Sequence, residues 1–155
     1  MGLQFLKEAR EEKYTQAEIA EILGVKRGTY ASLECGSDII PKKQIYTLAN
    51  VYKMSTDYLL GISPVNRKIK GDELNLDLIG QRLFLIRKNL RMSQLEIAES
   101  IGINQSTWWA YEKGKNLITT STLVALAKRY GYSTDYILGR CKDCLLYTSD
   151  AADEL

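Results

Sequence analysis

Two stretches of the chain place apolar residues at the spacing of an amphipathic helix. In QIYTLANVY (44–52), positions i, i+3, i+4 and i+7 are held by Ile45, Leu48, Ala49 and Tyr52. In TLVALAKRY (122–130), the same positions are held by Leu123, Leu126, Ala127 and Tyr130. Residues at this spacing lie on one face of a helix, so each stretch is predicted to bury that face in a core.

A shorter helix is predicted ahead of each of these. TQAEIAEILG (15–24) has a threonine at the N-cap position, a glutamate three residues later and a terminal glycine. SQLEIAESIG (93–102) has the same features with serine as the cap. A capping box and a glycine stop mark the two ends of a helix. A three-residue turn and another helix follow in each case, which is the pattern of a helix-turn-helix.

The two halves of the chain are copies of one unit. When the sequence is shifted by 78 positions, residues 16–61 align with residues 94–139 without a gap, and 19 of the 46 aligned pairs are identical. The phrases STDYLLG and STDYILG close the two copies with a capped helical turn. A period of this length indicates a duplicated structural unit of roughly 60 residues.

These elements predict an all-α fold of two tandem domains with about five short helices each. We place the first domain at residues 1–62 and the second at residues 78–141. Residues 63–77 are predicted to be a linker, because this stretch is polar and holds Pro64 and Gly71.

The tail at residues 142–155 matches neither copy. Residues 144–154 read CLLYTSDAADE, which has the form of a sequencing-library adapter translated in one reading frame. We expect these residues to be an artefact, and the natural chain to continue beyond about residue 143. A disordered acidic tail is the biological alternative.

The composition argues against chemistry at an active site. Histidine is absent, so the commonest general base and metal ligand is missing. Cys141 and Cys144 have the spacing of half a zinc site, whereas a structural zinc takes four ligands. No nucleophile–base pair or phosphate-binding glycine loop is recognisable. We expect no enzymatic activity, metal, cofactor or small-molecule substrate.

The sequence also predicts a cytoplasmic protein with no membrane partner. No apolar run approaches the roughly 18–20 residues of a membrane span, and the N-terminus has no secretory signal. Three cysteines without a framework spacing suit a reducing compartment.

With these motifs in this order, the sequence resembles the Cro and phage-repressor (XRE-type) family of lambda-repressor-like helix-turn-helix domains. The resemblance covers nearly residues 3–61 and 79–139. The second copy carries the fuller pattern, which includes Met92-Ser93-Gln94, Gly102-Ile103 and Tyr111-Glu112. The family binds duplex DNA sequence-specifically. The resemblance therefore implies a bacterial or phage transcriptional regulator that reads the major groove with the second helix of each motif, the recognition helix.

The resemblance assigns DNA contacts to residues of both copies. In the second copy they are Gln94, Asn104, Gln105, Ser106, Trp109, Ala110, Lys113, Lys115 and Asn116. In the first copy they are Gln16, Lys26, Arg27, Gly28, Ala31 and Ser32. It also implies that Trp108 and Tyr111 are buried, and that the pairs Arg10/Glu34 and Arg87/Glu112 tie the first helix to the recognition helix.

Elementary chemistry supports these roles. A glutamine side chain carries a donor and an acceptor that match the N6 and N7 atoms of adenine, and Arg27 has the two parallel donors that match guanine. Lysines after the recognition helix suit phosphates, whose attraction is independent of sequence and weakens with salt.

The charge differs between the copies. Residues 1–64 hold eight basic and eight acidic residues, whereas residues 78–143 hold ten and five. The second copy therefore has the basic excess expected of a DNA surface, and we predict that it is the principal reader. The first copy then reads weakly through Lys26 and Arg27 or contacts protein instead.

Several alternatives stay open at the level of the sequence. Two domains in one chain suffice for two half-sites, and a homodimer is an equally open arrangement. A different class of function is an antitoxin-like or adaptor module that binds protein. A third alternative is the DNA-binding part of a longer, truncated protein, whose missing part could be an enzyme.

Overall fold

The computed structural model describes residues 4–35, 42–67, 69 and 73–142 of the chain. They form two compact units, which divide between residues 70 and 71. All regular elements of the described residues are helices.

Among the described residues, each unit contains five helices. Those of the first unit are α1 (Gln4–Glu11), α2 (Gln16–Leu23), α3 (Arg27–Cys35), α4 (Lys42–Tyr52) and α5 (Thr56–Leu59). Those of the second unit are α6 (Leu76–Asn89), α7 (Gln94–Ser100), α8 (Gln105–Glu112), α9 (Thr120–Tyr130) and α10 (Thr134–Ile137). The predicted all-α fold with two tandem five-helix domains is therefore confirmed.

The predicted capping boxes begin α2 and α7. The hydroxyl of Thr15 accepts a hydrogen bond from the N–H of Glu18 at 3.2 Å, and the glutamate accepts one from the N–H of Thr15 in return. Ser93 and Glu96 repeat this arrangement at 3.1 Å in both directions. Each box satisfies two N–H groups that the helix itself leaves without a partner.

Each unit has its own apolar core. Fully buried side chains of the first unit include Leu6, Ile19, Tyr30, Ile45 and Leu48. Those of the second unit include Ile79, Leu83, Ile97, Trp108 and Leu126. The apolar faces predicted for α4 and α9 lie in these cores, with Tyr52 and Tyr130 half-buried at their edges.

The polar groups of the aromatic side chains are hydrogen-bonded differently in the two cores. In the first unit the hydroxyl groups of Tyr30 and Tyr52 are 3.2 Å apart and share a hydrogen bond. Burial raises the pKa of Tyr52 to about 12. In the second unit the hydroxyl of Tyr130 donates to Oγ of Ser100 at 2.6 Å instead. The buried Nε1 of Trp108 then has no hydrogen-bond partner among the described residues.

An arginine–glutamate pair ties the first helix of each unit to the third. In the first unit, Nε and Nη2 of Arg10 donate to the two carboxylate oxygens of Glu34 at 2.8 and 2.9 Å. In the second unit, Nε of Arg87 donates to Oε1 of Glu112 at 2.7 Å. Another nitrogen of each arginine donates to a carbonyl oxygen in the following turn. Both ties that the family resemblance implies are present.

The ion pair of the first unit makes its stability depend on pH. Burial alone would raise the pKa of the Glu34 carboxyl, but the hydrogen bonds and the charge of Arg10 outweigh it, and the pKa lies below its ordinary value of 4.5. The unfolded chain therefore takes up this proton first as the pH falls. The contribution of the pair is complete above about pH 4.5 and is lost as the pH falls through the folded pKa.

A close approach of α6 and α8 requires a glycine. A Cβ atom added to Gly80 would lie 2.3 Å from the carbonyl oxygen of Glu112 and 2.9 Å from that of Tyr111. These are backbone atoms of α8, which cannot rotate away as a side chain can. Only a residue without a side chain lets the two helices pack this closely.

Parts of the predicted linker belong to ordered elements. Ser63 is buried in the first unit, where its N–H donates to the carbonyl oxygen of Asp57 at 3.2 Å. Helix α6 begins at Leu76, behind the cap Asn75, so the last two residues of the stretch 63–77 are helical. The predicted boundaries at residues 62 and 78 stay predictions. The predicted tail lies outside the described residues from residue 143 onwards, and this includes Cys144.

Among the described helices, none is long and apolar enough to span a membrane.

Replacing Gly80 with alanine is expected to lower the free energy of unfolding of the second unit by about 1–3 kcal/mol, because the added methyl group forces α6 away from α8. Both tryptophans of the chain lie in this unit, so denaturant unfolding followed by tryptophan fluorescence measures it selectively. Gln81→Ala, at the exposed neighbouring position, is the control and should change the value by less than about 0.5 kcal/mol. Equal denaturant midpoints for Gly80→Ala and Gln81→Ala would contradict the close packing of α6 against α8.

Arg10→Met is expected to destabilise the first unit by about 3–5 kcal/mol, since the Glu34 carboxylate then stays buried without its partner. Amide hydrogen exchange of Ile19 and Leu48, both in the core of this unit, is the measurement. The double replacement Arg10→Met/Glu34→Leu removes both charges and should recover most of the loss. Exchange of the single variant at the wild-type rate would show that the pair contributes nothing.

Candidate nucleic-acid interface

Helix α8 has one face in the core and the opposite face in solvent. Trp108 and Tyr111 are buried, as the resemblance implies. The exposed residues at its amino end and on its outer face are Asn104, Gln105, Ser106 and Trp109, and Ala110 is half-buried beside them. The predicted base-reading positions therefore all reach the surface of the second unit.

The amino end of α8 is open. Asn104 stands at the N-cap position with extended backbone, yet its side chain makes no capping hydrogen bond. In six other described helices a side chain accepts such a bond; these caps are Thr15, Ser55, Asn75, Ser93, Thr119 and Ser133. The first N–H groups of α8 and the Asn104 amide are thus left for an external partner, and helix N-termini favour anions such as phosphate.

The residues that directly follow α8 form a basic edge at its carboxyl end. Lys113, Lys115 and Asn116 are all exposed. The turn that carries them is fixed by Gly114, which has a φ of 70°, and by a 2.9 Å hydrogen bond from the N–H of Lys115 to the carbonyl oxygen of Ala110. The ammonium group of Lys115 lies 5.0 Å from the ring centroid of Trp109, a cation–π distance. This contact holds the charge beside the outer face of α8.

Gln94 is held in place by the same glutamate that pairs with Arg87. Its Nε2 donates to Oε2 of Glu112 at 2.5 Å, while Oε1 of that carboxylate accepts from the arginine. One N–H of the amide is therefore engaged, and the half-buried side chain is fixed at the amino end of α7. The family resemblance implied only the pair of Glu112 with Arg87, and nothing in the spacing indicated the second bond of this glutamate.

The first unit presents a matching set of residues on α3. Lys26, Arg27 and Gly28 are exposed at its amino end. A lysine side chain has no acceptor, so Lys26 cannot cap the helix. Gln16, which corresponds to Gln94, is half-buried, and it contributes to the lowered pKa of Glu34.

Two of the positions predicted on the outer face of α3 are less open. Ser32 is half-buried, and its hydroxyl donates to the carbonyl oxygen of Gly28 at 3.2 Å. Ala31 beside it is half-buried as well. Residues 37 and 38, which follow α3 in place of the basic edge, lie outside the described residues. For every predicted contact of both units, binding to DNA itself stays a prediction.

The structure adds an apolar surface that the sequence did not indicate. Phe84 and Leu85 on α6 are 42% and 55% exposed, and Leu95 on α7 is 48% exposed. A groove of about 430 Å³ runs beside the first two, towards Gln94 and Lys113. The run LFLI at residues 83–86 is apolar throughout, so its periodicity could not show which two of the four side chains face outward.

Comparison with known proteins supports the family. A helix-turn-helix domain model matches residues 80–140, and a second helix-turn-helix model matches residues 6–59. No solved structure was found to match the chain.

Curated relatives are found in Bacillus subtilis (strain 168). The uncharacterized HTH-type transcriptional regulator YobD is 40% identical over 63 residues, which are 41% of this chain and 56% of that protein. The HTH-type transcriptional regulator ImmR is 39% identical over 71 residues, 45% of this chain and 56% of that protein. The uncharacterized HTH-type transcriptional regulator YqaE is 34% identical over 80 residues, 52% of this chain and 68% of that protein.

The chain thus spans little more than half the length of the first two relatives and two thirds of the third. Both of its copies match a helix-turn-helix model, and the five helices of each unit have the order of that motif. The chain belongs to the XRE-type helix-turn-helix family.

Proposed function

We propose that this protein binds double-stranded DNA sequence-specifically and regulates transcription, with α8 and α3 as the helices that enter the major groove. The observation that carries the proposal is the open amino end of α8, where Asn104, Gln105 and Ser106 are exposed and no side chain caps the helix. All three relatives are named transcriptional regulators, which agrees with this function.

The dimensions of a helix suit this role. A helix with its side chains is about 10–12 Å across, and the major groove is about 12 Å wide. The buried Trp108 fixes the inner face of α8, so the exposed face is the one that faces a duplex. The amides of Asn104 and Gln105 then read base edges, while Gln94 and the open N–H groups contact phosphate.

Affinity is expected to come mainly from the basic residues. Lys113 and Lys115 follow α8 on its exposed side, and each phosphate they neutralise releases condensed counterions. The excess of ten basic over five acidic residues at positions 78–143 supports the second unit as the principal reader. The first unit, with equal numbers over residues 1–64, contributes less through Lys26 and Arg27.

The proposal includes no enzymatic reaction and places the protein in the cytoplasm, where bacterial and phage DNA is transcribed. The histidine-free composition offers no group of ordinary pKa near 7 for proton transfer. A homodimer is not required, because one chain already carries two recognition helices.

A protein-binding adaptor is the second candidate function, and one observation favours it. Phe84, Leu85 and Leu95 expose large apolar side chains on the second unit. Phe84 and Leu85 line one groove, and exposed apolar side chains that lie close together occur at protein–protein interfaces. In this candidate function the partner is a protein, and the residues of α8 are not needed for binding.

Replacing Gln105 and Lys115 together with alanine is expected to weaken specific DNA binding strongly while leaving the fold intact, since both residues are exposed. The loss of a base contact costs about 1–3 kcal/mol, and the loss of one phosphate contact reduces the salt slope of log K by about 1. Binding to duplexes selected by the wild-type protein, measured from about 50 to 200 mM salt, separates the two effects. An interaction module whose partner is a protein would be unaffected by both replacements.

The prediction that the second unit is the principal DNA reader is tested in the full chain. Two positive charges are removed from one unit or from the other. Lys113→Ala/Lys115→Ala is expected to weaken binding more than Lys26→Ala/Arg27→Ala, because the basic excess lies in the second unit. Both pairs consist of exposed residues, so each serves as the matched control of the other. A greater loss for the first-unit pair, in affinity and in salt slope, would reverse the ranking.

A further inference from the structure

We propose that the two recognition helices of one chain read different bases, so that its DNA site consists of two unlike elements. The first unit reads an element that contains guanine through Arg27, and the second reads an element that contains adenine through Gln105 and Asn104. This inference rests on the proposed function and names the DNA bases that the same two sites bind.

The two helices are held by the same kind of arginine–glutamate pair. Gln16 and Gln94 occupy corresponding positions, and both are half-buried at the amino end of the second helix of their unit. Glu34 and Glu112 each pair with an arginine of the first helix of their unit. Because this pair is shared, the carboxyl ends of α3 and α8 are held alike, and the residues at their amino ends can be compared position by position.

The side chains that the framework presents differ at three consecutive positions. Lys26, Arg27 and Gly28 in the first unit correspond to Asn104, Gln105 and Ser106 in the second, and all six are exposed. The next pair, Thr29 and Thr107, is identical. The copies have thus diverged in the exposed turn while they keep the residues that hold the helix.

Arg27 is available for a base. It forms no ion pair with any residue in the part of the chain that the structure describes. A guanidinium has two parallel N–H donors that fit O6 and N7 of guanine, and it has no acceptor for the amino group of adenine. The chemistry of this position therefore favours guanine.

The corresponding turn of α8 offers amides. Asn104 does not use its side chain to cap the helix, and Gln105 is exposed at the first helical position. An amide carries a donor and an acceptor side by side, which match N7 and N6 of adenine. Each matched pair of this kind favours its base over the others by about 5- to 150-fold in affinity.

One chain has the length to bring both helices to one site. Ser63 and Asn66 are attached to the first unit by hydrogen bonds, and α6 begins after Asn75. The chain from residue 66 to residue 75 reaches at most about 32 Å. Half-sites one helical turn apart have centres about 34 Å apart, and the width of the units themselves adds to the reach.

The inference is tested with the full chain by selecting bound duplexes from a random library. Wild type is compared with Arg27→Gln, with Gln105→Arg, and with the variant that carries both replacements. The wild-type protein should select two unlike elements, one with guanine and one with adenine. Arg27→Gln should replace the guanine of its element, Gln105→Arg should replace the adenine of the other, and the double variant should exchange the two preferences.

A second measurement uses the wild-type protein alone, so that it does not depend on how a variant folds. Changing the selected guanine to adenine in the first element should weaken binding by about 5- to 150-fold. In the selection experiment described first, Lys43→Gln, which removes an exposed charge from α4, is the control variant and should leave both selected elements unchanged. Circular dichroism verifies the helical content of each variant.

The outcomes separate this inference from the proposed function. Two like elements, or elements that stay the same in Arg27→Gln and Gln105→Arg, would overturn the inference and leave specific DNA binding intact. If the wild-type protein selects no duplex at all, the proposed function fails and the inference fails with it.

Discussion

The carboxylate of Glu112 holds the second unit's site together. One of its oxygens accepts from Arg87 of α6 and the other from Gln94 of α7, while the residue itself ends α8. Three helices are thereby joined at one side chain, which is almost completely buried. Such a pair need not add net stability, because removing charges from water is costly, but it fixes the geometry of the groups it joins. In the first unit, both carboxylate oxygens of Glu34 accept from Arg10, so the pair ties α3 to α1.

Fixing the carboxyl end of the recognition helix leaves its amino end to face outward. Gly80 brings α6 close to the last turn of α8, and Trp108 anchors its middle in the core. The first turn, from Asn104 to Ser106, is then exposed and uncapped. An absent cap costs a helix about 0.5–2 kcal/mol, and here it leaves polar groups free for a ligand. The two units share the arginine–glutamate pair at the carboxyl end of this helix, and they carry different residues in its first turn.

Much of this architecture could be predicted from the sequence because it follows from local rules. The capping boxes at Thr15 and Ser93, the buried faces of α4 and α9, and the duplication itself are all written in short-range patterns. The family resemblance added the buried Trp108 and the arginine–glutamate pairs. All residues proposed to contact DNA in the described part of the chain are exposed or half-buried.

The remaining features depend on contacts between distant parts of the chain. The bond from Gln94 to Glu112 joins residues 18 positions apart, and no local pattern indicates it. The need for glycine at position 80 arises only when α8 packs against α6. The apolar run at residues 83–86 has no polar residue to reveal its outward face, so the exposure of Phe84 and Leu85 could be found only in the folded unit. Amide chemical shifts of the full chain, recorded while a selected duplex is added, test the central claim most directly. The amides of Gln105 and Ser106 should change most; changes confined to Phe84 and Leu85, with α8 unaffected, would contradict it.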